Sequence, residues 1–131
     1  MPSVLILDDD PCIRQSLTHT LEANSFKVQC ARTAEEANEH LGKQHFDLIL
    51  LDFAMPEHDG KWFMQNIRIK NKTKVLLITG FVSRELINTM FSLGVSGYLI
   101  KPIDEEMLIH NIHYYLGSPI TDELGNSIPA P

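Results

Sequence analysis

LILLDFAMPEHDG, residues 48–60, decides how this chain is read. Its first four residues are apolar and run straight into Asp52; a Met-Pro pair and an Asp-Gly turn follow. An uninterrupted apolar run of this kind predicts a strand covered on both faces, as in the middle of a parallel sheet. Such a strand should not end on a charge, because removing an unpaired carboxylate from water is costly. Asp52 must therefore reach solvent at the strand tip or meet a cation there.

The same alternation continues on either side. Upstream, VLIL (4–7) is a second apolar run, followed by a helix expected to start at Pro11 with Asp10 as its N-cap. Ile13, Leu17 and Leu21 fall four apart, on one face. A weaker strand is expected at KVQCA (27–31). Thr33-x-x-Glu36 then reads as a capping box, opening a helix with Ala34, Ala37 and Leu41 inward and Gly42 placed to end it. The central run itself is DLILL (47–51).

Downstream, Gly60 opens a helical segment with Phe63 and Ile67 on its inner face. KVLLIT (74–79) precedes a helix carrying Leu86, Met90 and Leu93. GYLI (97–100) precedes a helix capped at Asp104, with Glu105 and Glu106 suited to its positive end. Leu108, Ile112 and Tyr115 line its inner side. Five strands alternating with five helices through short loops predict an α/β domain, a parallel sheet with helices on both faces. Residues 1–116 make this domain, and the Gly-, Ser- and Pro-rich stretch 117–131 reads as a flexible tail or a linker to an absent output domain.

Bulk properties narrow the function. A chain of 131 residues that is 44% hydrophobic can bury one core. Its net charge of −6 repels phosphate backbones and anionic lipid, so direct nucleic-acid or membrane binding is not expected. No apolar run approaches the ~20 residues of a membrane span, and the N-terminus lacks the pattern of a signal peptide. The two cysteines, Cys12 and Cys30, offer neither a disulfide framework nor metal-ligand spacing, and each reads as a small buried apolar residue. A cytoplasmic location follows as an expectation.

In an open parallel sheet, ligands bind beyond the carboxyl ends of the strands. After VLIL come Asp8, Asp9 and Asp10; after LILL, Asp52; VLLI ends on Thr79; and YLI is followed by Lys101-Pro102. These groups should share one edge. Converging carboxylates repel unless a hard divalent cation joins them, and Mg²⁺ favours a few carboxylates, water and a phosphoryl group. A hydroxyl and a lysine complete a set suited to phosphoryl oxygens, with Asp52 as the nucleophile.

Together LDDDP, LLDFAMPEHDG, the Thr-Gly after the fourth strand and GYLIKP resemble the response regulator receiver domains of two-component (phosphorelay) signalling. The resemblance covers residues 4–116. It implies a flavodoxin-like doubly wound sheet of order 2-1-3-4-5, with Asp52 as phosphoacceptor for a histidine kinase or phosphotransfer protein. It further implies that Asp9, Asp52 and the backbone carbonyl of Ala54 hold Mg²⁺ or Mn²⁺, with Asp8 acting through water. Lys101 would pair with the carboxylate and then a phosphoryl oxygen, and Thr79 would bond another. Tyr98 would be the switch aromatic, turning inward with Thr79 and altering the face made by the fourth helix, fifth strand and fifth helix. Pro102 would follow a cis bond. A phosphorylation-driven homodimer and a downstream protein or fused output domain are the partners implied. Such a domain is not an enzyme beyond its own phosphoryl transfer and slow self-dephosphorylation. Ala54 and Phe81, two residues beyond Asp52 and Thr79, offer an attacking water no hydrogen bond, so that loss is expected to be slow.

Two other functions fit some of the residues. Asp8-x-Asp10, Thr79 and Lys101 mimic the order of a haloacid-dehalogenase-type, Mg²⁺-dependent phosphatase with Asp8 as nucleophile, but Asp52-x-x-Met-Pro would go unexplained. A receiver-like module that binds without phosphorylation usually lacks an acid or the lysine, and here all are present. His110 and His113 with Glu106 read as a solvated helix face, His58 as a loop residue, and Trp62 and Phe63 as packing. No phosphate-binding glycine loop is present.

Overall fold

The computed structural model describes residues 1–117. The tail beyond Gly117, read above as a linker, lies outside the described residues. Along the chain run β1 (Ser3–Leu7), α1 (Pro11–Ala23), β2 (Lys27–Ala31), α2 (Ala34–Lys43), β3 (Leu48–Asp52), α3 (Gly60–Asn66), β4 (Lys74–Thr79), α4 (Arg84–Ser92), β5 (Gly97–Ile100) and α5 (Glu105–Tyr115). The strands form one parallel sheet of order β2-β1-β3-β4-β5, the flavodoxin-like arrangement expected.

Each apolar run is continuous because both sheet faces are covered, and alternate residues serve opposite layers. Leu5, Leu7, Ile49, Leu51, Val75 and Leu77 face α2, α3 and α4, where Ala34, Ala37, Phe63 and Met90 complete the layer. Val4, Ile6, Leu48, Leu50, Leu76 and Ile78 face α1 and α5, meeting Leu17, Leu21, Leu108 and Ile112. Every residue of β3 is buried.

Among the described residues all five helices start under a side-chain cap: Asp10, Thr33, Asp59, Ser83 and Asp104 each accept a backbone N–H from the first turn. Since each helix follows a strand, these caps gather at the carboxyl edge of the sheet. The capping box is only half formed. Thr33 accepts the Glu36 N–H at 3.2 Å, but the Glu36 carboxylate pairs with Arg32 instead of returning to Thr33.

Several expectations need correction. Gly42 does not end α2, which continues to Lys43 with Gln44 as its C-cap. No left-handed turn is made there, so the glycine's freedom goes unused. The central strand includes Asp52 and excludes Asp47, whose carboxylate accepts the Ser3 N–H at 2.8 Å. Ile67 and Leu93 sit at the C-caps of α3 and α4, not inside them. Cys12 is exposed, and Cys30 is only half-buried, packed at the margin of the core. His113 is half-buried and tilts against Phe26, with ring centroids 5.6 Å apart.

Candidate functional site

The carboxyl edge of the two central strands carries the acids. Asp8 follows β1 and is 1% exposed; Asp52 closes β3 and is 3% exposed. Asp9 is exposed beside them. One carboxylate oxygen from each of Asp8, Asp9 and Asp52 lies within 4.8 Å of the others. Lys101, after β5, reaches across with its Nζ 3.1 Å from Asp52 Oδ1 and 3.3 Å from Asp8 Oδ2. This is the cation that the end of the central strand required. Among the described residues no hydrogen bond is made to Asp52 Oδ2, whereas both Asp8 oxygens are engaged, Oδ1 by the Asp10 N–H at 2.9 Å.

One ammonium does not balance three carboxylates. Burial and then the neighbouring Asp8 charge push the Asp52 carboxyl from 3.8 up to about 6, against the pull of Lys101. Burial alone would lower Lys101, but its bond and charge contact with Asp52, then those with Asp8, outweigh it and raise the ammonium above 10.5. A site short of positive charge and built from hard oxygen donors fits a divalent cation such as Mg²⁺.

Sequence comparison agrees with this geometry. Residues 4–113 match the family described as the response regulator receiver domain. The chain belongs to that family. It is 35% identical over 117 residues to the transcriptional regulatory protein AruR of Pseudomonas aeruginosa, covering 83% of this chain and 47% of that protein. It is 35% identical over 109 residues to the transcriptional regulatory protein CrdR of Helicobacter pylori, covering 80% of this chain and 50% of that one. This receiver therefore spans about half the length of the curated relatives it matches. Among solved structures, the chemotaxis protein CheY4 of Vibrio cholerae superposes with a TM-score of 0.83 at 31% identity, covering 88% of this chain and 98% of that one. A CheY-like receiver of Methanospirillum hungatei gives 0.84 at 27% identity, covering 89% and 94%. Family membership sets aside the haloacid-dehalogenase reading.

Two receiver residues stand apart from the acid cluster. Thr79 is buried at the end of β4, yet its hydroxyl donates to the Phe81 carbonyl at 2.8 Å and accepts the Phe81 N–H at 3.1 Å. Tyr98 on β5 is 38% exposed, its ring edge-on to Phe91. Ala54 lies in the loop after β3, and the Lys101-Pro102 bond is cis. Phe81, two residues beyond Thr79, is 69% exposed.

Three residues near the site have contacts that the sequence reading did not give them. Arg14 Nη1 donates to the Asp8 carbonyl at 2.7 Å and holds the acidic loop from α1; its only signal was a cation one turn after the Asp10 cap. Gly60 lets α3 start against the end of β3, where an added Cβ would come within 3.1 Å of Phe53 Cα. His58, read as a plain loop residue, stacks on Trp62 with centroids 3.6 Å apart, and its Nε2 lies 3.3 Å from Glu35 of α2.

Proposed function

We propose that Asp52 accepts a phosphoryl group from a phosphohistidine donor on a sensor kinase or phosphotransfer protein. A carboxylate oxygen of Asp52 forms the new P–O bond as the donor's P–N bond breaks, and that electron pair leaves with the imidazole. The observation carrying this reading is the Lys101 ammonium set between Asp8 and Asp52 at the end of the buried central strand. As the acceptor loses negative charge, Lys101 transfers its bond to a phosphoryl oxygen. Asp9, Asp52 and the Ala54 carbonyl, with Asp8 through water, would hold Mg²⁺ or Mn²⁺, which when bound supplies positive charge to the phosphoryl oxygens.

Thr79, released from Phe81, bonds a further phosphoryl oxygen, and Tyr98 turns into the space it leaves. The face of α4, β5 and α5 is thereby altered. Phe91, Tyr98, Ile100 and Met107 are exposed there, an apolar surface suited to a second copy, a downstream protein or a fused output domain. The protein turns over no external substrate; it carries out only its own phosphoryl transfer and loss. The proposed place of action is the cytoplasm; among the described residues no helix is long and apolar enough to cross a membrane.

The test is intact mass after incubation with Mg²⁺ and a small acyl phosphate. The parent should gain one phosphoryl group, and Asp52→Asn or chelation should abolish the gain. Modification that persists in Asp52→Asn would overturn the assignment.

A further inference from the structure

The receiver has a second pole, opposite the acids. From Gly60 to Arg84 the chain holds no Asp or Glu, although acids number 17 against 11 Lys and Arg overall. Within that interval Arg68, Lys70 and Lys72 occupy alternate positions of the loop between α3 and β4, and Lys74, the first residue of β4, continues the alternation. All four are exposed, and none forms an ion pair among the described residues. They stand where β4 begins, at the sheet end away from Asp52.

The loop backbone is anchored. The Thr73 N–H donates to the Lys70 carbonyl at 3.0 Å, and the buried Thr73 hydroxyl donates to the Phe46 carbonyl at 2.6 Å. Two clefts flank it. One, of about 330 Å³, has Met64, Ile67, Ile69 and Leu93 in its wall and Lys70 and Lys74 at its rim. The other, of about 180 Å³, is lined by Leu41 and Phe46 with Arg68, Lys70 and His45. Unpaired cations held beside apolar hollows suit a ligand offering both kinds of group.

We propose that this pole docks an extended acidic segment of a partner protein in which carboxylates alternate with apolar side chains. In an extended segment alternate side chains point to opposite sides, so carboxylates can meet the cations while apolar groups reach the clefts. Duplex DNA is disfavoured, because the remaining surface is strongly acidic and a phosphodiester backbone offers nothing to the apolar walls. Docking here leaves Asp52 open to its phosphoryl donor.

The test uses the full chain and a short labelled peptide alternating Glu with Leu, followed by fluorescence anisotropy across a salt series. Two competitors are a peptide of the same composition with its Glu and Leu segregated, and a duplex DNA. The alternating peptide should bind best, weaken as salt rises, and lose about tenfold affinity in the Arg68→Gln, Lys70→Gln, Lys72→Gln, Lys74→Gln variant. Circular dichroism of that variant should match the parent, since all four side chains are exposed. No saturable binding, undiminished binding by a folded variant, or tighter binding of the segregated peptide or the DNA would overturn the proposal.

Discussion

Asp52 is held in a state that its surroundings oppose. Its folded value of about 6 lies above the usual 3.8, so folding favours the protonated carboxyl. The stability linked to this group is fully present below pH 3.8 and is lost as pH rises through 6; at neutral pH the loss is on the order of 3 kcal/mol. Asp52→Asn should therefore stabilise the metal-free protein in urea unfolding at pH 7.5, with the advantage shrinking towards pH 4. An advantage independent of pH, or a loss at pH 7.5, would contradict this account. Ala54 and Phe81 bear on the reverse reaction. Neither side chain can hydrogen-bond an attacking water, so we expect the phosphorylated protein to persist for minutes or longer at neutral pH. Decay within seconds, read by intact mass after removing the donor, would show that some other group positions that water. The acids, Lys101 and Thr79 were legible in sequence because each directly follows an apolar run. The bond from Thr79 to Phe81 was not, since a hydroxyl at a strand end has several acceptors within reach and only the loop's path chooses among them.

Secondary structure was legible where two signals agreed. At α1, apolar spacing coincides with Asp10 and Pro11, and the helix starts there. At Gly42 a stop signal stood alone, and the helix ran through it. A glycine permits a left-handed turn but does not compel one. The glycine of β5 has a different role. A Cβ at Gly97 would overlap the Tyr115 ring of α5, so the missing side chain lets that helix seat against the edge strand. Gly97→Ala should push Tyr115 outward and lower stability by about 1–3 kcal/mol in urea unfolding. Pairing it with Tyr115→Leu, which frees the space, should recover part of that loss. An equal loss in the double variant would mean that the contact does not limit the packing.

Across the whole molecule, two opposed demands are met by different parts of one sheet. β3 is wholly buried and lies between β1 and β4, whereas β5, which among the described residues pairs with β4 alone, alternates buried with exposed residues. Sequence foretold this division in part: VLIL and LILL read as continuous apolar runs, whereas the place of GYLI at the edge came only from the strand order that the family resemblance implied. The Tyr98 environment likewise depends on Phe91, seven residues earlier on another element. The difference should be visible in time. In deuterium exchange, amides of β1 and β3 should open only with global unfolding, and those of β5 should exchange sooner through local opening. Equal protection in β3 and β5 would argue against it. On this prediction the carboxylate proposed as acceptor would hang from the last part of the molecule to open, and the residue proposed to report its state would ride on a strand that loosens without disturbing it.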